Sequence, residues 1–214
     1  MALKTFNSLS GVPTHYDRFE APPAITYGTR GKLNKFSAED NFVDKLDECF
    51  QELWNLCPLG RAEVITSAGA FVNRPRDPSD RHSEARAFDL DGIFWAGRNF
   101  VTLYDGYQGG DRKFYFGVNA VLCKHFGVVL NYLFNADHRD HFHLDDSRNV
   151  GFDPSASSKV LFLQGALVHV MGLSIGSSGI DGDFGPDTQA AFNAALAQFG
   201  ITGIIITQIV WLAF

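Results

Sequence analysis

Three histidines fall within one short stretch of this sequence, and their side chains are well suited to chemistry: His138, His141 and His143. Side chains alternate between the two faces of a β-strand. On a strand, His141, His143 and Asp145 would share one face, whereas Phe142 and Leu144 would anchor the other face in a core. The pattern therefore predicts imidazoles presented on one side of a sheet.

A second segment, upstream, supplies carboxylates and one more imidazole. His82 is followed by Asp89 and Asp91, and strand alternation places the two aspartates on the same face. A hydrolytic zinc site needs about three protein ligands and one open position. With two histidines and one aspartate as ligands, zinc keeps a net positive charge, which lowers the pKa of bound water to about 7 and polarises a scissile carbonyl.

Each feature alone has a plainer explanation. A single histidine such as His82 is more often structural, a short histidine-rich run is sometimes a solvated loop, and an acidic pair is usually a strand end. The combination is more specific, because two segments supply complementary ligands on short strands. Together they predict a hydrolytic metal site.

The two segments resemble the zinc motifs of the D-Ala-D-Ala metallopeptidases. In the first motif a histidine precedes an aspartate by seven positions, with alanine two residues before the aspartate, and here these are His82, Ala87 and Asp89. The second motif, Asp-His-Phe-His at residues 140–143, resembles the extensin-like branch in particular. The wider group includes lysostaphin-type and hedgehog-type folds. The resemblance covers residues 62–146 and implies zinc on His82, Asp89 and His143.

The resemblance also implies the remaining site residues. The catalytic carboxylate would be Asp140, and in a related branch a histidine at the position of His138 replaces it, so both stay open. His141 would line the site. An arginine upstream of the first motif would stabilise the oxyanion: Arg74 is the candidate and Arg76 the alternative, unless both simply solvate a loop.

Three departures from the family pattern concern the substrate more than the metal. Many members have Ser-x-His at the first motif, where this sequence has Asp80, Arg81 and His82. The usual glycine three residues after that histidine is Ala85. A glutamate base is common in the family, and Asp140 is shorter.

The C-terminal part of the chain resembles the small three-helix peptidoglycan-binding domain. The matching features are Leu163-Gln164, the Asp-Gly-Asp-Phe-Gly loop at residues 181–185, and Thr188 before a second helix. The resemblance covers residues 155–214 and implies a third helix at 203–214. Asp181 and Phe184 are the candidate substrate-binding residues.

The elements that must position these residues are mixed. Helical periodicity follows a start at Ser37 and recurs at 114–126, whereas residues 62–68, 87–95, 128–134 and 141–145 favour strands. Residues 1–36 show no clear periodicity and predict an irregular wrap, and 152–158 predict a linker. We therefore expect an α+β fold: a small antiparallel sheet with flanking helices in a metallopeptidase domain at 1–151, and a three-helix bundle at 155–214.

Composition and hydropathy bear on nucleic-acid binding, membrane insertion, secretion and disulfide formation. The net charge of -6 argues against nucleic acid as a partner, and a histidine-rich nuclease would also need basic patches. No stretch is apolar for the roughly 18–20 residues that a membrane span needs, and residues 1–20 show no secretory signal. The odd number of cysteines favours buried thiols, with a Cys57–Cys123 disulfide as the alternative.

These features predict a zinc peptidase that cuts the peptide part of bacterial peptidoglycan. A D,D-endopeptidase or D,D-carboxypeptidase is favoured; the alternatives are an L-Ala-D-Glu endopeptidase and a non-catalytic wall-binding protein with a structural metal. Without a secretory signal, delivery to the cell wall would depend on a holin, as in a phage endolysin, or on a secretion system. An antibacterial effector of the second kind would be paired with an immunity protein.

Overall fold

The α+β class expected from the sequence is confirmed. The computed structural model describes residues 2–17, 29–102 and 112–201, and within them it has four helices and two sheets. The strands are β1 (Leu3–Phe6), β2 (Ser8–Leu9), β3 (Val12–Tyr16), β4 (Lys32–Leu33), β5 (Phe36–Glu39), β6 (Val64–Gly69), β7 (Ala87–Phe94), β8 (Asn99–Val101), β9 (Val128–Leu130) and β10 (Phe142–Asp145). The helices are α1 (Asp40–Leu56), α2 (Arg112–His125), α3 (Ser157–His169) and α4 (Pro186–Gln198).

The main sheet is larger than the small antiparallel sheet that the sequence predicted, and it is mixed. Its strands follow the order β2-β3-β6-β7-β10-β9, with β4 beside β3 and β8 beside β7. β3 runs parallel to β6, whereas β6, β7, β10 and β9 are antiparallel neighbours. The two strands that carry the motifs, β7 and β10, therefore lie side by side inside the sheet.

For the described residues 2–17 and 29–36, the prediction of an irregular N-terminal wrap is wrong; residues 1 and 18–28 of that prediction lie outside the described ranges. The helix start predicted at Ser37 is also wrong. Short strands in this region pair with distant parts of the chain, as β3 does with β6 and β1 with β5. Ser37 lies in β5 opposite Thr5, and α1 begins only at Asp40. Burial of Phe36 and Ala38 stabilises the strand, so tertiary pairing overrides the local capping signal.

Two helices cover the core face of the motif strands. Phe50 of α1 contacts Phe88 of β7, with 6.5 Å between ring centroids, and Tyr115 of α2 contacts Phe142 of β10 at 4.6 Å. Burying a large apolar side chain contributes about 1.5–3 kcal/mol. The strand alternation predicted for β7 and β10 is confirmed, because these core-facing side chains are fully buried: Phe88, Leu90, Phe142 and Leu144.

The cysteines are thiols. Cys49, Cys57 and Cys123 form no disulfide, so the Cys57–Cys123 alternative is not formed. Burial raises the pKa of Cys49 well above its usual value and raises that of Cys123 to about 12. Cys49 is fully buried, as the sequence predicted, whereas Cys57 and Cys123 are partly buried against the core.

The C-terminal helices pack against the rest of the chain. Phe162 of α3 contacts Phe116 of α2, and a Cβ at Gly165 would stand only 2.5 Å from the Phe116 ring, so this close approach requires glycine. Phe152 packs on Phe184, and α3 begins at Ser157, inside the predicted linker. The division into 1–151 and 155–214 stays a prediction, and the third helix expected at 203–214 lies outside the described residues. Within the described ranges, no helix is long and apolar enough to cross a bilayer.

Gln164 of α3 holds the Asp-Gly-Asp-Phe-Gly loop from inside. Its side chain is 1 % exposed. Its carbonyl accepts the backbone N–H groups of Asp181 and Gly182, and its amide donates to Asp181 Oδ1, the Asp183 carbonyl and Thr188 Oγ1. The Leu-Gln feature of the sequence is therefore a structural anchor for the loop.

Replacing Gln164 by alanine is expected to lower the free energy of unfolding by about 2–4 kcal/mol, because buried donors and acceptors of the loop lose their partner. Urea unfolding followed by fluorescence measures the change. Gln189→Ala on the exposed side of α4 is the matched control and should stay within about 0.5 kcal/mol of the unsubstituted protein. An equal stability for the two variants would contradict the anchoring role.

Candidate metal centre

The sheet register brings the two motifs together. His143 of β10 lies directly opposite Asp89 of β7, and Gly69 of β6 lies on the other side of Asp89. His143 Nδ1 is 3.0 Å from Asp89 Oδ1. His82, from the loop before β7, places Nε2 at 3.2 Å from the same oxygen and at 3.3 Å from His143 Nδ1. Three possible ligand atoms therefore converge on one point.

The spacing of these atoms suits a metal ion. Zinc with bonds of about 2.0–2.1 Å to nitrogen and oxygen holds tetrahedral ligand atoms about 3.3 Å apart. The observed separations of 3.0–3.3 Å are close to that value. His82, Asp89 and His143 thus form a group that can bind a metal.

Both imidazoles of this group donate their outer N–H to an acceptor. His82 Nδ1 lies 2.5 Å from the carbonyl oxygen of Ala70, and His143 Nε2 lies 3.3 Å from Asp145 Oδ2. Metal-binding histidines almost always make such an outer hydrogen bond, which fixes the tautomer and the ring orientation. The contacts leave His82 Nε2 and His143 Nδ1 as the two ligand atoms.

The carboxylates and imidazoles of the centre shift one another's pKa values strongly. Burial would raise the pKa of Asp89, but hydrogen bonds from His143 and His82 hold it well below its usual range. Burial would lower the pKa of His143, but Asp145 and Asp89 raise it to about 9. A metal ion must displace the proton from His143, so metal binding is expected to weaken as the pH falls.

The loop that carries His82 is held by ion pairs and by one strained residue. Glu84 is buried and pairs with both Arg76 and Arg81. Ala85 has φ +59°, in the left-handed region that glycine favours. The glycine that the resemblance led us to expect at this position would adopt this conformation without strain.

A cleft of about 410 Å³ opens at the centre. It is lined by Ala68, Gly69, Val72, Arg74, His82, Asp89, Asp91, Asp137, Asp140 and His141. Arg74 is the only arginine among these lining residues, and its Nε donates to Asp80 Oδ2 at 2.5 Å. Arg76 is instead paired with Glu84, so the geometry favours Arg74 over Arg76 as the cation of the cleft.

Asp140 forms a hydrogen bond with His141, whose ring lies beside the group of His82, Asp89 and His143. Asp140 Oδ1 accepts a hydrogen bond from His141 Nδ1 at 2.8 Å. His141 Nε2 then faces the centre, 3.6 Å from Asp89 Oδ1. A carboxylate that holds an imidazole in this way fixes which nitrogen can accept a proton.

His138 lies beside this pair. It ends a short 3₁₀ helix, Ala136–His138, and its ring centroid is 5.2 Å from that of His141 and 5.8 Å from that of His143. Burial, together with the neighbouring His141 and His143, lowers the pKa of His138 to about 4. All the histidines proposed for the site are therefore neighbours in the fold.

Asp181 and Phe184 have structural contacts. Asp181 accepts hydrogen bonds from Gln164 and from the backbone of Asp183, and Phe184 packs on Phe152. These contacts hold the C-terminal loop. A role of either residue in binding substrate stays a prediction.

The central part of the chain is similar to a known protein family. Residues 63–153 match the family model described as extensin-like protein C-terminus. That family is linked to the zinc D-Ala-D-Ala peptidase-like group, so the resemblance inferred from the motifs is supported for this segment. No curated protein and no solved structure matches the chain.

Three outer contacts of the histidines are among those that were not anticipated from the sequence. They are the Ala70 carbonyl on His82, Asp145 on His143, and Asn135 on His138. Only the second had a signal, because Asp145 follows His143 by two residues and so shares its strand face. A backbone carbonyl leaves no trace in residue types, and Asn135 lies in an irregular turn.

Proposed function

We propose that this protein is a zinc-dependent hydrolase that cleaves peptide bonds of bacterial peptidoglycan. The observation that carries the proposal is the convergence of His82 Nε2, Asp89 Oδ1 and His143 Nδ1 at a cleft that also contains an imidazole with a carboxylate partner. The match to the extensin-like family supports a peptidase-type enzyme.

The side chains around the cleft have different roles in the proposed hydrolysis. Bound zinc would supply positive charge that acidifies water and polarises the scissile carbonyl. Asp140 holds the Nδ1–H of His141, so His141 Nε2 can take a proton from the attacking water and return it to the leaving amine. Asp140, the base implied by the family resemblance, would therefore act through His141, and His138 is the competing base. Arg74, fixed by Asp80, supplies the cation for the oxyanion.

The substrate assignment rests on both parts of the chain. A wall-binding C-terminal segment suits a polymeric substrate, so we favour a D,D-endopeptidase over a D,D-carboxypeptidase; the alternative bond is L-Ala-D-Glu. Mass spectrometry of sacculi digested by the metal-loaded protein identifies the bond from the new termini. A muropeptide profile identical to that of untreated sacculi would contradict the proposal.

A second candidate function follows from the position of His141. Its Nε2 lies 3.6 Å from Asp89 Oδ1, so a movement of the His141 side chain toward the centre would add a fourth ligand to His82, Asp89 and His143. Closed sets are typical of structural zinc, and the protein would then be a non-catalytic wall-binding protein. His141→Ala separates the two functions: zinc is retained if His141 is the base, and zinc affinity falls sharply if it is a ligand.

The proposed site of action is the cell wall, reached through a holin if the protein is an endolysin or by injection if it is an antibacterial effector. A neighbouring immunity gene would favour the effector.

Binding to the wall should survive the loss of catalysis. The full-length His82→Ala variant is expected to pellet with insoluble sacculi, because the C-terminal segment that resembles a peptidoglycan-binding domain is intact. The bound fraction is measured by comparing pellet and supernatant, with a cross-linked dextran resin as the control particle. Protein that stays wholly in the supernatant would contradict the proposed binding to the wall.

A further inference from the structure

One ring nitrogen of His138 and one of His141 each lie next to an acceptor, as is also the case for the proposed ligands His82 and His143. His141 Nδ1 lies 2.8 Å from Asp140 Oδ1, and His138 Nδ1 lies 2.6 Å from Asn135 Oδ1. Asn135 Oδ1 also accepts the backbone N–H groups of Asp137 and His138, which identifies it as the oxygen. Both partners are acceptors, so each Nδ1 donates and each Nε2 keeps its lone pair.

The rings of His138 and His141 lie next to each other, beside the group formed by His82, Asp89 and His143. Their ring centroids are 5.2 Å apart. One nitrogen from each of His138, His141 and His143 lies within 4.8 Å of the other two, so these three side chains could hold a metal ion. His143, however, has Nδ1 directed at Asp89 and Nε2 directed at Asp145. A second ion beside the first would therefore depend on His138 and His141.

We propose that His138 and His141 form a second, weaker metal position, through which excess zinc inhibits the enzyme. Imidazole nitrogen is a good ligand for zinc, and Asp137 on the same cleft wall adds negative charge. Two protein ligands bind more weakly than three, so this position fills only after the first. The inhibition rests on the proposed function, because the ion would occupy His141 Nε2, the atom assigned to proton transfer.

Zinc titration of metal-stripped, full-length protein tests the inference. Calorimetry and elemental analysis after dialysis count the bound ions, and sacculus hydrolysis is measured on the same samples. The first equivalent is expected to activate, and a second, weaker equivalent to inhibit. One equivalent with activity that stays at its plateau in excess zinc would overturn the second position and leave the proposed function standing. A first equivalent that binds without restoring hydrolysis would contradict the proposed function instead.

Substitutions locate the second ion. Asn135→Ala removes the outer partner of His138 and should weaken the second equivalent by about 10- to 100-fold, with the first unchanged. His138→Ala should abolish the second equivalent. His15→Gln is the control for loss of an imidazole, because His15 lies on β3 and contacts the carbonyl of Arg30. An unchanged second equivalent in both Asn135→Ala and His138→Ala would overturn the assignment, and an unchanged first equivalent shows that the variants fold.

Discussion

Replacing His143 by alanine is expected to remove both the metal and the hydrolysis of sacculi. His143 supplies one of three proposed ligand atoms and lies opposite Asp89 in the sheet register. Loss of an outer hydrogen-bond partner typically costs 10- to 100-fold in metal affinity, and loss of a ligand should cost at least as much. Elemental analysis of the purified variant and release of soluble muropeptides measure the two effects.

His82→Ala should behave in the same way, since its Nε2 faces the same oxygen. His125→Gln is the matched control, because His125 ends α2 and pairs with Glu52. It should retain full zinc content and activity. Hydrolysis at the normal rate by either His143→Ala or His82→Ala would contradict the ligand assignment.

Replacing His141 by alanine is expected to lower turnover by about 10²- to 10⁴-fold while zinc stays bound, the usual contribution of a general base. Asp140→Asn should fall in the same range with zinc retained, because an amide at this position can present a donor to Nδ1 and favour the wrong tautomer. Single-turnover digestion of sacculi and zinc content are measured on each variant.

The His138→Ala variant distinguishes between the two candidate general bases, which are His138 and the His141 that Asp140 holds. If His138→Ala is inactive but metallated, and Asp140→Asn turns over at a near-normal rate, proton transfer belongs to His138. If Asp140→Asn and His138→Ala both retain zinc and activity, the role assigned to this segment is wrong.

The ligand set of His82, Asp89 and His143 was implied by the family resemblance, whereas local rules predicted only which strand faces carry the polar side chains. Strand alternation places His143 and Asp89 on the solvent side of β10 and β7, with Phe142 and Phe88 in the core. The pairing of β7 with β10, which sets His143 opposite Asp89, joins residues 54 positions apart and did not follow from those rules. The position of Asp140 was anticipated as well, but its contact with His141 was not, because it depends on a turn.

The elements that the sequence missed depend on distant partners. β3 forms because it pairs with β6, some fifty residues later, and Ser37 joins a strand because β1 lies beside it. Local propensity carries no information about such pairs. The hydrogen bonds of Gln164 to the loop at residues 181–185 were likewise not predicted, because they join positions 17 and 18 residues apart in the chain.

Metal removal and restoration, followed on one protein sample, test the proposed catalytic centre most directly. Protein stripped with a chelator should release no muropeptides from sacculi, and about one equivalent of zinc per chain should restore the activity, as expected for a single site with three protein ligands. Stripped protein that contains no metal by elemental analysis and still digests sacculi at the full rate would contradict a zinc-dependent mechanism.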